Sequence, residues 1–490
     1  MIKTMKSRLK FSKLRLLFLS LIVCCQVQAQ TQLDLHQKMS TIANYLHKLA
    51  KQDAFSGAIL IAKDGKVLLE KAYNYAHLGF KVPNTVDTKF GMASMGKMFT
   101  SIAIMQLVEQ GKLSLQDKVG KVLPKYPNKR VKEEVTIHHL LTHTSGMPNF
   151  MTEDFYKTSK DHYRKLDDFS PLYQTKPLLF SPGKRFSYTN SGYLVLGLII
   201  EKLSGEKYDE YLRKHIFEVA QMKNTGNYDT DHPIANLAEG YTLSDVYPLS
   251  LKNNRLMGAV RGGPAGGGYT TLQDMFLFAQ ALQNQLFLSK KNVEILTTPK
   301  SGNKNWGYGY GFQYFGPNKQ RVVGHSGGHW GVGSELRIFT ELGYTVVLLT
   351  NRDLDAGFLE ARYFIQDQLV GITSTTRSYF FTKKVLKTIE KKGVEAGKKV
   401  KKTAQVKLSE RDINAKGYQL LKQKKYSQAI DVFIFEVFAF PRSFDAYDSL
   451  GEAYMESGNI PLAIKNYKKS LELNPKNENA IKKLAKMKIK

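Results

Sequence analysis

The stretch RVVGHSGGHWGVGSELRIFTELGYTVVLLTN, residues 321–351, alternates between apolar runs and glycine-rich or turn-forming breaks. Apolar, β-branched runs bounded by glycine are typical of strands, so this stretch predicts three successive strands. A second such pattern is GAILIAKDGKVLLEKAYNYA, residues 57–76, in which Asp64-Gly65 separates two apolar runs and predicts a hairpin. We therefore expect strands from both ends of one segment to pair in an antiparallel sheet.

The segment between these strand regions carries helical patterns. Gly111 and Gly205 provide helix stops, and Thr271 provides an N-terminal cap. Helices are predicted at about 94–110, 191–205 and 270–282. The order of strands, helices and strands predicts an α+β fold over residues 31–375, with an antiparallel sheet flanked by helices.

The first thirty residues, 1–30, predict a secretory signal peptide, since MIKTMKSRLKFSKLR is basic, LLFLSLIVCC is apolar and Ala29 offers a cleavage site. The predicted location is extracytoplasmic, either periplasmic or secreted. Lipid anchoring through Cys24 is the less favoured alternative, because the large Val23 precedes it. Both cysteines of the chain, Cys24 and Cys25, lie in this leader, which excludes disulfides, thiolate catalysis and cysteine-ligated zinc in the mature protein.

Positive charge is concentrated towards the C-terminus. The formal net charge is +29, and residues 377–490 hold 26 Lys and Arg against 12 Asp and Glu. Residues 376–408 are predicted to form a basic linker that is partly helical. Secretion argues against nucleic acid as the partner, so we expect at most a peripheral contact of this basic surface with anionic lipid or wall polymer.

Residues 409–490 repeat with a period of 34, which is typical of tetratricopeptide repeats. The matching pairs share small, aromatic or proline residues: Gly417 and Gly451, Ala429 and Ala463, Phe433 and Tyr467, Pro441 and Pro475. The segment resembles two such repeats followed by a capping helix, a small all-α domain. Two repeats bury little surface alone, so we expect them to dock on the linker helix or on the preceding domain. Binding of a protein or peptide partner and a purely structural role both stay open.

The first candidate catalytic residues lie in the stretch GMASMGKMFT, residues 91–100. Residues three apart lie on neighbouring faces of one helical turn, so Ser94 and Lys97 point the same way. A serine hydroxyl is a weak nucleophile until a nearby base takes its proton, and a lysine with a lowered pKa is such a base. Because Ser-x-x-Lys also occurs at Ser7, Ser181, Ser204 and Ser301, it needs partners elsewhere in the chain.

Two further motifs provide those partners. FSYTNSGY contains Tyr188-Thr189-Asn190, and GHSGGHWG contains His325-Ser326-Gly327. With these three motifs in this order, the chain resembles the serine β-lactamase and penicillin-binding-protein superfamily, in particular its class C β-lactamase-like branch. The resemblance extends over roughly residues 40–370. It includes the stretches VTIHHLLTHTSGMPNF and GGPAGGGYTTLQDMFLFAQAL.

The resemblance implies a role for each motif residue. Ser94 matches the nucleophile that forms an acyl-enzyme, and Lys97 matches its activating base or electrostatic partner. Tyr188 resembles a second base, with a phenolate that Lys97 would favour. Asn190 would hold Lys97 and bind the amide of the substrate. His325 stands where many relatives carry lysine. A lysine keeps its positive charge at neutral pH, whereas a histidine at this position would lose it near neutral pH.

The third motif also implies substrate-binding positions. The strand edge along which a ligand lies would be lined by Ser326, Gly327 and Gly328. The glycines would permit the ligand to approach the backbone closely. The backbone N–H groups of Ser94 and Gly328 would form an oxyanion hole. No cofactor is predicted. A zinc site at His138, His139 and His143 is disfavoured, since no glutamate follows His139 and the stretch matches the family.

The predicted activity is that of an extracytoplasmic serine hydrolase acting through an ester on Ser94. A D-alanyl peptide, a carboxylic ester or a β-lactam is the expected substrate, and the fold does not choose among them. His325 shifts the expectation from a true β-lactamase towards a peptidase or esterase. The alternative is a ligand-binding or sensing module that acylates slowly or not at all, with the repeats recruiting a protein partner.

Overall fold

The computed structural model describes residues 32–244, 250–303, 306–316, 320–354 and 356–488. The predicted signal peptide, with both cysteines, lies outside these described residues. The chain divides into two compact units. The first comprises the described residues up to Thr242 together with Asn253–Gln368, and the second comprises Leu243–Lys252 and the residues from Leu369 onward. None of the described helices combines the length and the apolar character that a bilayer crossing requires.

One antiparallel sheet forms the centre of the first unit. Its strands are β1 (Gly57–Lys63), β2 (Lys66–Tyr73), β9 (Ser301–Asn303), β10 (Trp306–Tyr308), β11 (Gln313–Phe315), β12 (Val322–His329), β13 (Val332–Phe339) and β14 (Tyr344–Thr350). Their order across the sheet is β2-β1-β14-β13-β12-β11-β10-β9. Leu60 of β1 lies opposite Val347 of β14, which joins the N-terminal hairpin to the three C-terminal strands. The predicted α+β fold, with its sheet built from both ends of the segment, is confirmed.

Shorter strands form two-stranded pairs. They are β3 (Tyr75–His77) with β4 (Val82–Pro83), β5 (Phe90–Gly91) with β8 (Tyr269–Thr270), and β6 (Tyr241–Leu243) with β7 (Leu251–Asn253). The pairing of β5 with β8 has a functional consequence, because it brings the glycine-rich segment before Tyr269 next to the segment that leads into Ser94.

Helices pack on the sheet and enclose the core of the first unit. They are α1 (32–51), α2 (Gly96–Glu109), α3 (Val119–Val122), α4 (Lys129–Glu134), α5 (Ile137–Leu141), α6 (Glu153–Lys157), α7 (Ser170–Tyr173), α8 (Ser191–Ser204), α9 (Tyr208–Leu212), α10 (Leu272–Gln283), α11 (Lys290–Thr297) and α12 (Ala356–Val370). Short 3₁₀ turns occupy Ala93–Met95, Lys160–His162 and Leu166–Phe169, and a π turn occupies Arg213–Phe217. Every residue of α2 from Gly96 to Met105 is buried, as expected for a helix in the middle of a core.

The helix predicted from about Ser94 begins two residues later. Ala93 has a φ of +45°, in the left-handed region, and its carbonyl accepts a hydrogen bond from the N–H of Gly267 at 3.0 Å. This geometry tightens Ala93–Met95 into a 3₁₀ turn before α2 starts at Gly96. A left-handed alanine is strained, and such strain is concentrated at functional sites.

The second unit is helical. Its helices are α13 (Ser374–Lys392), α14 (Val394–Lys402), α15 (Glu410–Lys422), α16 (Tyr426–Ala439), α17 (Phe444–Glu456), α18 (Ile460–Leu473) and α19 (Glu478–Lys488). The repeated glycines allow close packing within each pair, since a Cβ on Gly417 would lie 2.4 Å from the Phe433 ring and one on Gly451 would lie 3.1 Å from the Tyr467 ring. Val385 and Ile389 of α13 join the same apolar cluster as Phe433. The repeats therefore dock on a linker helix, as expected.

Candidate active site

Ser94 and Lys97 meet where the 3₁₀ turn passes into α2. The Lys97 Nζ lies 3.3 Å from the Ser94 Oγ. Ser94 sits in the turn and Lys97 in the first helical turn, so the two side chains share one face across the junction. The structure therefore brings together the pair that the sequence predicted.

Lys97 is completely buried and is surrounded by oxygen atoms that carry no net charge. Its amine donates to Asn190 Oδ1 at 2.8 Å and to the backbone carbonyl of Ala265. In the part of the chain that the structure describes, no carboxylate forms an ion pair with Lys97. Desolvation consequently lowers the pKa of the Lys97 amine well below its usual value.

Tyr188 completes the group around the serine. Its ring centroid lies 4.9 Å from the Lys97 Nζ, and its hydroxyl interacts electrostatically with the Ser94 side chain. One side of the ring is open to solvent, with 38% of the residue exposed. Desolvation raises the pKa of the Tyr188 hydroxyl above its usual value, so the neutral phenol is the stable form. This direction runs against the phenolate expected from the sequence, and the role of Tyr188 as a base stays a prediction.

His143 fixes the segment that carries Tyr188 and Asn190. Its carbonyl accepts a hydrogen bond from the N–H of Ser187 at 2.8 Å, and its Nδ1 accepts one from the N–H of Thr189 at 3.2 Å. The imidazole centroid lies 4.1 Å from that of Tyr188. His143 holds this position with a left-handed φ of +58°. The sequence disfavoured a zinc site at His143 and gave no indication that this residue positions the Tyr188 segment.

Asn190 is held from a second side as well. Its Nδ2 donates to Asn149 Oδ1 at 3.3 Å and to the Met151 sulfur at 3.2 Å. Those contacts orient the amide so that its oxygen accepts from Lys97. Asn149, Met151 and the Ala265 carbonyl were not predicted, because no spacing in the sequence links them to Ser94.

The three histidines considered for zinc each bind a different protein group. His138 Nδ1 lies 2.8 Å from the Tyr310 hydroxyl, and His139 Nδ1 accepts from the N–H of Thr136 at 3.2 Å. Within the described ranges, no group of three or more His, Cys, Asp or Glu residues is arranged to hold a metal ion.

The third motif lies on β12, at an edge that is partly open. β11 pairs only with Val322–Gly324, so the following residues of β12 expose one edge. The N–H of Ser326 points to that edge and donates to Gln313 Oε1 at 3.1 Å. Because N–H groups alternate along a strand, the N–H of Gly328 points to the same edge.

Gly327 lies directly against the turn that carries Ser94. A Cβ at this position would come within 2.3 Å of the Met92 carbonyl and 2.9 Å of the Ser94 N. Only glycine therefore allows β12 to approach the backbone N–H of Ser94 so closely. The two predicted oxyanion donors consequently lie on adjoining segments.

His325 points into the protein interior and is 1% exposed. Its Nδ1 donates to the Ser326 carbonyl at 2.6 Å, which leaves its Nε2 to accept from the Tyr308 hydroxyl at 3.0 Å. Desolvation lowers the pKa of the imidazole to about 3. Both ring nitrogens thus bind groups inside the protein. Tyr308 lies between His325 and Tyr188, and its ring centroid is 5.7 Å from that of His325 and 6.3 Å from that of Tyr188.

The family model for β-lactamases matches residues 41–370, which include all of these motifs. The chain belongs to the β-lactamase family. This is a family of serine hydrolases. A model for tetratricopeptide repeats also matches this β-lactamase-family chain, at residues 451–487.

Relatives of this β-lactamase-family chain include penicillin-binding proteins. Penicillin-binding protein 4* of Bacillus subtilis is 30% identical over 338 residues, which cover 66% of this chain and 74% of the relative. The crystal structure of a penicillin-binding protein from Bacillus halodurans is 34% identical with a TM-score of 0.59, covering 66% of this chain and 97% of that one. An octameric homologue from Pyrococcus abyssi is 27% identical with a TM-score of 0.62, covering 71% of this chain and 81% of that one.

Proposed function

We propose that this β-lactamase-family protein is an extracytoplasmic hydrolase that transfers the acyl group of an amide or ester to Ser94 and then to water. The observation that carries the proposal is the 3.3 Å separation of the Ser94 Oγ from the buried, desolvated amine of Lys97. D-alanyl peptides, carboxylic esters and β-lactams are the substrate classes proposed, since each presents an acyl carbon to such a serine.

The hydrogen-bond partners of Lys97 favour it as the base. A neutral amine has two N–H groups and one lone pair. Both N–H groups are used by carbonyl oxygens, those of Asn190 and Ala265. The lone pair is then left for the third neighbour, the Ser94 hydroxyl, whose proton it accepts as Oγ attacks the substrate carbonyl.

Tyr188 is proposed to supply the proton that the leaving group needs. Its phenol hydrogen passes to the departing nitrogen or oxygen as the C–N or C–O bond breaks. This leaves an acyl ester on Ser94, with Lys97 as ammonium and Tyr188 as phenolate. In the second half-reaction the phenolate takes a proton from water as the hydroxide attacks the ester, and Lys97 returns its proton to Ser94 Oγ.

The strand edge is proposed to bind the substrate and its oxyanion. The N–H groups of Ser94 and Gly328 would donate to the carbonyl oxygen as it becomes negative, which is worth two to three orders of magnitude in rate per donor in other acyl-transfer enzymes. Ser326 and Gly327 would line the same edge, and Asn190 would bind the substrate amide. His325 is proposed as a positioning residue that acts through Tyr308, given its burial.

Labelling with a fluorescent fluorophosphonate tests the proposal. The wild type should be labelled, and Ser94→Ala should not. Ser181→Ala is the matched control, because Ser181 begins another Ser-x-x-Lys in the chain and should label normally. Turnover should then appear with p-nitrophenyl esters, nitrocefin or D-Ala-D-Ala peptides. Labelling that depends on Ser94 without any turnover would instead support the slowly acylating sensor, and labelling of Ser94→Ala would overturn the assignment.

The extracytoplasmic location rests on the basic and apolar leader that ends near Ala29. N-terminal sequencing of the protein from its host should begin just after Ala29. A lipid-modified Cys24 at the N-terminus would instead support anchoring, and an intact leader in the cytoplasmic fraction would contradict the proposal.

A further inference from the structure

A shallow depression opens just beyond the strand edge that is proposed to bind the substrate. It has a volume of about 260 Å³ and is lined by Tyr156, His329, Trp330 and Asp353. His329 is the last residue of β12 and follows Gly328 directly. A strand advances about 3.3 Å per residue, so His329 lies about 7 Å along β12 from Gly327, which touches the turn of Ser94.

Aromatic rings form the walls of this depression. Tyr156 and Trp330 are 41% and 36% exposed, and their ring centroids lie 5.1 Å apart at an interplanar angle of 64°. The His329 ring packs on Trp330 at 5.0 Å. Burial lowers the pKa of His329, so its ring is neutral at physiological pH. Adjacent exposed aromatic faces beside a reaction site are typical of a surface that an apolar group covers.

The depression is preformed because its backbone is fixed. The Trp330 carbonyl accepts from Asn254 Nδ2 at 2.8 Å, and the Gly331 N–H donates to Asp353 Oδ1 at 2.6 Å. Asp353 Oδ2 accepts from the Thr242 hydroxyl at 2.7 Å. Both carboxylate oxygens are therefore already hydrogen-bonded, while the negative charge of Asp353 still repels an anionic ligand.

A short stretch of chain connects the depression with the residues that contact Asn190. Asn149 and Met151 contact the Asn190 amide, and two residues after Met151 the chain enters α6, which carries Tyr156. Asn190 is the residue proposed to bind the substrate amide. One wall of the depression, Tyr156, is thus close along the chain to the residues that hold Asn190, and the other wall, Trp330, directly follows the oxyanion strand.

We propose that this depression receives an uncharged aromatic side chain carried by the acyl group of the substrate. The inference rests on the proposed acyl transfer to Ser94 and adds its specificity. A phenyl ring one or two carbons from the carbonyl offers far more apolar surface to the Tyr156 and Trp330 rings than an acetyl or alanyl group does. The enzyme therefore prefers aromatic acyl donors to short aliphatic ones.

Two ester series measured on the full-length protein test this preference. In the first, the p-nitrophenol leaving group is constant and the acyl group is acetyl, butyryl, phenylacetyl or 4-carboxyphenylacetyl. In the second, the acyl group is acetyl and the leaving alcohol is aliphatic or aromatic at matched pKa. In the first series, kcat/KM for the phenylacetyl ester should be at least about tenfold higher than for the butyryl ester, which is typical discrimination by an apolar pocket. The kcat/KM for the 4-carboxyphenylacetyl ester should be lower than for the phenylacetyl ester.

Each outcome of the two series bears on a different claim. An aromatic preference confined to the leaving group would overturn the assignment to the acyl side, and equal rates throughout would overturn the pocket. Turnover of acetyl esters in either case would leave the proposed hydrolase intact. No turnover of any ester, together with no labelling of Ser94, would count against the proposed function itself.

Variants connect the preference to the rings. Trp330→Ala and Tyr156→Ala should each lower the phenylacetyl-to-butyryl ratio of kcat/KM by about tenfold, and Trp330→Phe should restore most of it. The ratio is taken within each variant, so a loss of folded protein cancels. Phe438→Ala is the matched control, since Phe438 is 38% exposed but belongs to the second unit, and its ratio should equal that of the wild type. An unchanged ratio in both alanine variants would overturn the proposal.

Discussion

The amine of Lys97 lies 2.8 Å from the side-chain oxygen of Asn190, although 93 residues separate them in the chain. A carbonyl oxygen at this position holds the amine without adding a full negative charge. The pKa of Lys97 therefore remains lowered by burial, which is the condition for a lysine to act as a base near neutral pH.

Asn190→Asp should raise the pKa of Lys97 because it places a carboxylate against the amine. A raised pKa keeps Lys97 protonated to higher pH, so the acid limb of the kcat/KM profile should move upward by about 1 to 3 pH units. The profile is measured with a p-nitrophenyl ester between pH 5 and 10.

Asn459→Asp is the control for the Asn190 experiment. The exposed Asn459 caps α18 by accepting from the N–H of Leu462, a role that aspartate fills equally well, so its profile should match the wild type. A downward or absent shift in Asn190→Asp, in a protein that still folds and labels, would contradict the assignment of Lys97 as the base.

Gly327→Ala should remove most of the activity while Gly263→Ala should not. The new Cβ at residue 327 would collide with the Met92 carbonyl and the Ser94 N, so β12 must retreat from the turn that carries the nucleophile. At Gly263 nothing lies within 4 Å of the added atom. We expect kcat/KM for Gly327→Ala to fall about 100-fold or more, the usual result of losing an oxyanion donor. Activity close to wild type would show that this approach is not needed.

The sequence predicted the features that arise from short-range patterns. It missed the contacts that form only where distant loops meet. The i,i+3 relation of Ser94 to Lys97 and the strand alternation at both ends of the first unit are local, so the pair and the antiparallel sheet followed from the residues. The carbonyl of Ala265 reaches Lys97 only because β5 pairs with β8, which no spacing reveals. The left-handed Ala93 and the inward turn of His325 likewise depend on neighbours from elsewhere in the chain.

His143→Asn should retain more activity than His143→Phe, although phenylalanine is closer in shape. Asparagine adopts a left-handed φ readily and can accept the hydrogen bond from Thr189 with its side-chain oxygen. Phenylalanine keeps a ring against Tyr188 but leaves a buried N–H without an acceptor, a loss of about 1–3 kcal/mol. Because that N–H belongs to the segment between Tyr188 and Asn190, we expect kcat to fall more than KM rises.

The His143 variants are compared by the rate of fluorophosphonate labelling and by the kcat and KM of ester hydrolysis. Thermal unfolding of each variant separates loss of folded protein from loss of positioning. If the phenylalanine variant labels as fast as the asparagine variant at equal stability, the hydrogen bond to Thr189 does not position the Tyr188 segment.

Glu436→Gln should stabilise the second unit at neutral pH. Glu436 is fully buried on α16, Asn414 Nδ2 lies 3.5 Å from its Oε2, and burial raises its pKa to about 8. An unfolded glutamate has a pKa of about 4.3, so between about pH 4.3 and 8 the folded state must keep a proton that the unfolded state releases. Stability of the wild-type unit should therefore decline as pH rises through this window, and glutamine should abolish the decline.

The placement of tryptophan makes the Glu436 prediction measurable in the full chain. Both tryptophans, Trp306 and Trp330, belong to the first unit, so their fluorescence reports that unit alone, while far-ultraviolet circular dichroism reports both units. In Glu436→Gln at pH 7.5 the helical unfolding transition should move to higher denaturant with the tryptophan transition unchanged. Glu456→Gln, at an exposed position of α17, is the control and should move neither transition. A wild-type repeat unit that is equally stable at pH 5 and pH 8 would show that Glu436 does not retain its proton in the fold.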